Sequence, residues 1–206
     1  MRPLKYTLVA DGPSDRVLLR VLDWLICQQD MIPEGQFFDP RKMPEPPKDL
    51  AGRIHAALDL FPCTILFVHR DAELASPGNR RQEIETALQA VAHPPHVCVI
   101  PVRMTEAWFL FDETALRRAA GNPNGKTPLH LPRLQHIENQ PNPKRIMTDA
   151  LRQASGLGGR RLAGFETSVA RYRLAELVQD FAPLRTVAAF QCLEHDLIKI
   201  VAQQTA

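Results

Sequence analysis

Long apolar runs are missing from this chain. Nothing in its 206 residues approaches the roughly 20 consecutive apolar positions a membrane span needs, so no membrane partner is expected. The opening Met1-Arg2-Pro3 leads directly into a strand-like run, which predicts no export signal. Paired cysteines are missing too: Cys27, Cys63, Cys98 and Cys192 lie far apart, with no Cys-x-x-Cys among them. Cys63 and Cys98 border or lie in apolar runs and read as core thiols rather than bridges or ligands. A reducing cytoplasm is the expected location. Strong charge of one sign is also absent, the formal net charge being +2. Hydrophobic and charged fractions of 45% and 23% suit a globular chain with one sizeable core, or a core plus a helical appendage.

The charge distribution says more than its sum. Residues 1–120 carry 14 Lys/Arg against 16 Asp/Glu, whereas residues 121–206 carry 11 against 7. Lys144, Arg145, Arg152, Arg160, Arg161, Arg171 and Arg173 face only Asp149 and Glu166 in the same stretch. A basic flank beside an acidic site suits a phosphate polymer, and equally a solvated helical face.

Leu4–Ala10 reads as a short buried strand, followed by the turn Asp11-Gly12-Pro13. Ser14 is placed to cap a helix, Asp15 complements its dipole, and Val17, Leu18, Val21, Leu22, Leu25 and Ile26 recur at helical spacing. The Pro-rich stretch 32–48 predicts an irregular surface loop, with at most a short strand near Phe37-Phe38. Asp49 caps a helix carrying Ile54, Ala57, Leu58 and Phe61, the strand Thr64–Val68 follows, and a loop runs through Pro77-Gly78-Asn79. Next come a helix from about Arg80 to Ala92, the strand Val97–Val102, and a helix from Glu106 to about Ala119 that Thr105 can cap. Residues 121–143 show no clear period. Three helices then close the chain, over 143–155, about 166–181 and 188–204. This alternation predicts an α/β fold, a parallel sheet covered by helices over residues 1–120, with a helical C-terminal half over 121–206 packed as one compact unit.

Three acids fall where predicted strands end: Asp11, Asp71 and Glu106. The carboxyl ends of parallel strands share one edge, where ligands bind, so these carboxylates are expected to meet and hold Mg²⁺ against phosphate oxygens. Each residue also has a local explanation. Asp11 suits the turn before Gly12, Asp71 can cap its loop, and Glu106 can stabilise a helix N-terminus. Arg70, Arg80 and Arg81 are candidate phosphate contacts, as are Arg160 and Arg161. Lys144, after the cap-like Asn142-Pro143, reads first as a helix start and second as a phosphate contact. Trp108 reads as core rather than a stacking platform.

Several short motifs lack the context that would give them meaning. His69-Arg70-Asp71 spells a kinase catalytic-loop signature without the accompanying Gly-rich loop or Asp-Phe-Gly. Gly121 to Thr127 falls one residue short of a Walker A loop and follows a helix rather than a strand. Gly156-Leu157-Gly158-Gly159 has no strand before it, and His93-Pro94-Pro95-His96 reads as a surface turn.

The segment Leu8-Val9-Ala10-Asp11-Gly12-Pro13-Ser14-Asp15 resembles the first motif of the Toprim fold, an acid before Gly with a second acid a few residues on. Ile65-Leu66-Phe67-Val68-His69-Arg70-Asp71 is similar to its Asp-x-Asp motif. Pro101 through Asp112, with Glu106-Ala107-Trp108, resembles small stand-alone Toprim-like proteins related to the Toprim part of OLD-type nucleases. Asn142-Pro143-Lys144 and the stretch from Leu184-Arg185 to Leu193 add further echoes. The resemblance implies a Toprim-like (Rossmann-like) sheet and metal-dependent phosphoryl transfer on nucleic acid, with Mg²⁺ or Mn²⁺. It casts Asp11 as general acid/base and Asp71 as metal ligand, with Glu106 as a further catalytic candidate. It also implies a partner ATPase and a role in phage defence; self-assembly as a homodimer is a separate expectation. Asp11 stands where Glu is usual, and His69 where the first Asp of Asp-x-Asp belongs. Imidazole suits Mn²⁺ or Zn²⁺ better than Mg²⁺, and Glu73 is near enough in sequence to serve as a ligand. A degenerate, non-catalytic module binding nucleic acid or an ATPase is the alternative, and a small-nucleotide-binding regulator a third.

Overall fold

A computed structural model describes residues 1–205. The chain forms two compact units: residues 1–101 joined by the C-terminal helix, and Val102–Val187. The boundary thus falls at 101/102 rather than at 120/121, and the last helix belongs with the sheet. Among the described residues, no helix is long and apolar enough to cross a membrane.

The first unit holds four parallel strands, β1 (Arg2–Val9), β2 (Met31–Phe38), β3 (Ile65–His69) and β4 (His96–Val99), in the order β2-β1-β3-β4. The two central strands are nearly continuous apolar runs because both their faces are covered. Ile65 through His69 are all buried. β2 takes the first part of the stretch expected as loop over 32–48 and extends the short strand expected near Phe37-Phe38, while residues 39–48 stay irregular apart from a 3-10 turn at Pro40–Lys42. Its sequence, MIPEGQFF, hides the strand because only one neighbour pairs with it and six of its eight residues stay partly or fully accessible. Pro33 is tolerated there since an edge strand need not donate on its outer side. Gly35 pairs opposite Tyr6, and a Cβ at Gly35 would lie 2.5 Å from the Tyr6 hydroxyl oxygen. Only glycine leaves room for that ring.

Side chains alternate across each strand, which sorts the core into two layers. Val9, Leu66, Val68 and Cys98 pack with Ile54 and Ala57 of α2 (Leu50–Leu60) and with Ile84 and Leu88 of α3 (Pro77–Leu88). Tyr6 and Phe67 take the other face, with ring centroids 5.3 Å apart, edge to face. Tyr6 reaches α1 (Leu18–Cys27), where its hydroxyl donates to Asp23 at 2.7 Å. The C-terminal helix α8 (Ala188–Thr205) contacts β4 and sets Phe190 6.2 Å from Trp24 of α1. Each large apolar side chain fully buried in these layers contributes about 1.5–3 kcal/mol.

Caps explain where the helices begin. Asp49 accepts from Gly52 N–H at 2.7 Å, opening α2 as expected. Ser76 accepts from Asn79 N–H at 3.1 Å, so α3 starts at Pro77, a favoured first helical position, rather than at Arg80. The expected helix from Ser14 is delayed: Pro13–Val17 forms a 3-10 turn, and α1 begins at Leu18.

In the second unit the expected helix from Glu106 is likewise split. Thr105–Phe109 is a 3-10 turn, and Asp112 then caps α4 (Glu113–Ala119), accepting from Ala115 N–H at 2.8 Å. α4 packs with α5 (Pro143–Ala154) and α7 (Thr167–Leu177), with the short α6 (Gly159–Ala163) between the last two in sequence. Phe109 and Phe111 stack edge to face on Phe181 at 5.9 and 6.2 Å. Asn122 donates to the Ala154 carbonyl at 3.0 Å, fixing the start of the long connection to the end of α5.

Candidate functional site

The strand order places a topological switch between β1 and β3, with α1 on one face of the sheet and α2 and α3 on the other. In open parallel sheets such a switch opens a crevice at the carboxyl ends of the strands. Asp11 and Asp15 follow β1, while His69 ends β3 and Asp71 follows it. Asp11 and Asp71 thus both follow the carboxyl ends of the paired strands β1 and β3. Their surroundings differ.

His69 is 1% exposed, and its Nδ1 lies 3.0 Å from the Val99 carbonyl of β4. A carbonyl can only accept, so Nδ1 carries the hydrogen. Nε2 then faces the crevice, 3.5 Å from Asp71 Oδ1 and 3.8 Å from Asp15 Oδ2. Those separations exceed ordinary hydrogen-bond length, and the three donor atoms do not all lie within 4.8 Å of one another, so an ion would have to draw the two carboxylates in toward Nε2. Asp15 is held in place by its own turn: its Oδ2 accepts from Gly12 N–H at 3.0 Å, and its Oδ1 from the Ser14 hydroxyl at 3.3 Å. It is 8% exposed, unusual for a carboxylate whose only task is to face a helix dipole. Sequence reading assigned it only that task. The signal that could have found it is its spacing, four residues beyond Asp11 in the same motif.

Asp11 is more open and lies among cations, 3.2 Å from Arg70 Nε and 3.4 Å from Arg53 Nη1. Arg70 continues to Glu83 at 3.1 Å, Glu83 to Arg80 at 2.8 Å, and Arg80 to Glu73 at 3.6 Å. The result is a ladder of alternating charge along the rim, from Asp11 to Glu73. The hydrogen bond that Arg80 donates to Glu83 holds its guanidinium still more firmly protonated than usual. Glu73 has φ +52°, a left-handed backbone uncommon outside glycine, and its carboxylate meets Arg80. Arg81 points elsewhere, to Asp196 of α8 at 2.7 Å.

The other predicted residues belong to the second unit. Glu106 accepts from Arg171 Nη1 at 2.8 Å, with side-chain exposures of 10% and 16% for acid and base. Both line a cavity of about 300 Å³ with Lys144, Met147, Thr148, Thr167 and Ser168. Arg160 and Arg161 are exposed on α6. Trp108 is fully buried, as expected of core.

By donor type alone, two carboxylates and one imidazole suit a borderline divalent cation such as Mn²⁺ or Zn²⁺ better than Mg²⁺, which prefers oxygen throughout. The Val99 carbonyl supplies the outer hydrogen bond that commonly orients a metal-ligating histidine. No family profile, curated protein or solved structure matches this chain, and the reading of the rim rests on its own geometry.

Proposed function

We propose that this chain is a Toprim-like, divalent-metal-dependent phosphodiester-processing protein acting on nucleic acid. The observation that carries the reading is His69, whose Nδ1 is committed to a backbone carbonyl while Nε2 faces Asp15 and Asp71 at the switch point. Asp15, His69 and Asp71 hold the cation. Mn²⁺ or Mg²⁺ bound there would neutralise charge on a phosphate oxygen and acidify a bound water. Asp11, one motif position from the cradle, is the general acid/base candidate. Arg53 and Arg70 grip it at rest and are placed to exchange that carboxylate for a backbone phosphate. Glu73 is a reserve ligand and Glu106 a further catalytic candidate. A partner ATPase and a place in phage defence follow from the family resemblance alone.

A second reading is favoured by one feature, the engagement of Asp11 by two guanidinium groups together with His69 in place of an acid. In that reading the rim binds nucleic acid or an ATPase without turnover. One experiment separates the two. Mn²⁺ uptake is followed by the loss of its free-ion electron paramagnetic signal, and cleavage of single- and double-stranded DNA and RNA is assayed with Mn²⁺ and Mg²⁺. Wild type is compared with Asp11→Ala, Asp15→Asn, His69→Gln and Asp71→Ala. The enzyme reading expects uptake to fall at least tenfold in the last three variants and cleavage to vanish in all four. Salt-dependent nucleic-acid binding with no product under either metal supports the second reading. Uptake and cleavage indifferent to Asp15→Asn and Asp71→Ala would sink both the site and its chemistry.

A further inference from the structure

The amino half of edge strand β4 carries a second cluster, unrelated to the crevice. His96 and Cys98 are two residues apart on one strand, so both point to the same face of the sheet. That face is covered by α3, whose Glu85 comes down onto both. His96 Nε2 lies 3.1 Å from Glu85 Oε1, and Cys98 Sγ lies 3.9 Å from the same oxygen. One nitrogen, one sulfur and one oxygen thus fall within 4.8 Å of one another. Among the described residues, no other group of three such donors closes so tightly.

We propose that Glu85, His96 and Cys98 form a binding site for a thiophilic divalent cation of the Zn²⁺ class. The donor spacing is already close to what such an ion imposes. Tetrahedral Zn²⁺ with ordinary bond lengths separates its nitrogen and oxygen ligands by about 3.4 Å, and its sulfur and oxygen ligands by about 3.6 Å. For these two donor pairs, closing on an ion requires shifts of about 0.3 Å, while the nitrogen and sulfur, within 4.8 Å of each other, would close toward about 3.6 Å. The donor types choose the metal: thiolate and imidazole select Zn²⁺ and its analogues over Mg²⁺ or Ca²⁺. With the thiol deprotonated, the set carries two negative charges and neutralises the ion.

Surrounding charges are compatible with this. Arg81 stands one turn before Glu85 on α3, and its guanidinium is already paired with Asp196 of α8 at 2.7 Å. The His93 ring sits edge to face on His96 at 5.1 Å, limiting that ring's swing. Glu85 is 39% exposed and Cys98 3%, so an ion would enter from the carboxylate side and rest on a thiol rooted in the core. Three protein ligands leave a fourth position for water, the pattern of exchangeable rather than purely structural zinc. An ion here would pin α3 to β4. The turn His93-Pro94-Pro95-His96, which in sequence lacks further ligands, acquires two from residues 85 and 98.

The test is Co²⁺ titration of the chelator-treated full chain, read by absorption. The expected result is a thiolate-to-cobalt charge-transfer band from one ion per chain, separate from any ion taken up at the crevice, and lost on adding Zn²⁺. Cys98→Ser should abolish the band, and Glu85→Gln and His96→Asn should each weaken Co²⁺ binding at least tenfold. Glu85→Gln, on a solvent-facing residue, serves where Cys98→Ser fails to fold. Asp15→Asn and Asp71→Ala should leave the band unchanged, which separates this site from the crevice. A titration giving no band overturns the proposal. So does a band that survives Cys98→Ser and disappears with Cys27→Ser or Cys192→Ser.

Discussion

Replacing Tyr6 with Phe removes one oxygen atom, and the surroundings of that atom set the size of the effect. Tyr6 is 0% exposed, and its hydroxyl donates to Asp23 Oδ1 at 2.7 Å, tying β1 to α1. Burial, then the neighbouring Asp23 charge, pushes the phenol above its ordinary value of 10.0. Burial also raises the Asp23 carboxyl, and the hydrogen bond from Tyr6 pulls it partly back. The phenylalanine variant keeps the ring contacts with Phe67 and leaves a half-buried carboxylate without its phenol. A hydrogen bond to a charged group contributes about 1.5–3 kcal/mol, so the loss near neutral pH should be about 2 kcal/mol. For a chain of this size that lowers Tm by about 4–8 °C. Because the folded Asp23 pKa is raised, its contribution to stability is fully present below the ordinary 3.8 and declines as pH climbs through the folded value. Without the phenol that pKa rises further and the decline steepens. The penalty of the variant should therefore shrink to about 1 kcal/mol in acid, where Asp23 is neutral. Tyr6 itself contributes stability present below its ordinary value and lost as pH rises beyond it, so wild type should weaken in alkali through a term the variant lacks. Thermal unfolding followed by circular dichroism at acid, neutral and alkaline pH measures all three. A variant as stable as wild type near neutrality, or a loss equal in acid and at neutrality, would refute the reasoning.

Gly35→Ala drives a methyl group into the same ring, and denaturant titration should show a loss of about 1–3 kcal/mol that largely persists in combination with Tyr6→Phe, because the ring carbon Cζ would still lie 2.6 Å away. Arg171→Met leaves Glu106 nearly buried without its cation, costing about 3 kcal/mol by urea unfolding, while Glu106→Leu combined with Arg171→Met should recover most of it. In chelator-treated protein near neutral pH, iodoacetamide should label exposed Cys27 and Cys192 rapidly. Cys98, whose thiol burial pushes up to about 12, should react only on unfolding, as peptide mass spectrometry would show.

Sequence pattern reached the central strands because burial on two faces leaves an uninterrupted apolar run. It missed β2 because an edge strand paired on one side tolerates Pro33, Glu34 and Gly35, residues that in isolation spell a loop. Helix starts were legible where a side chain caps the backbone, as at Asp49 and Asn142. They were misplaced where a 3-10 turn precedes the helix, as before Leu18 and Glu113, because hydrophobic spacing does not distinguish the two windings over a single turn. At the rim, strand-end positions pointed to Asp11 and Asp71, and the family resemblance to His69. Asp15 escaped because its burial depends on the turn folding back toward β3, a tertiary event. The Glu85, His96 and Cys98 cluster escaped for a related reason, since a helix and a strand eleven residues apart in sequence must cross before their donors meet.

The placement of α8 has a consequence for biosynthesis. Phe190, Leu193 and Leu197 cover a sheet whose strands all emerge from the ribosome within the first hundred residues. Until α8 itself has been made, the hydrophobic surface around β4 and Trp24 stays open to solvent and to chaperones. A nascent chain arrested after Val187 should thus be a substrate for quality control rather than a stable fragment.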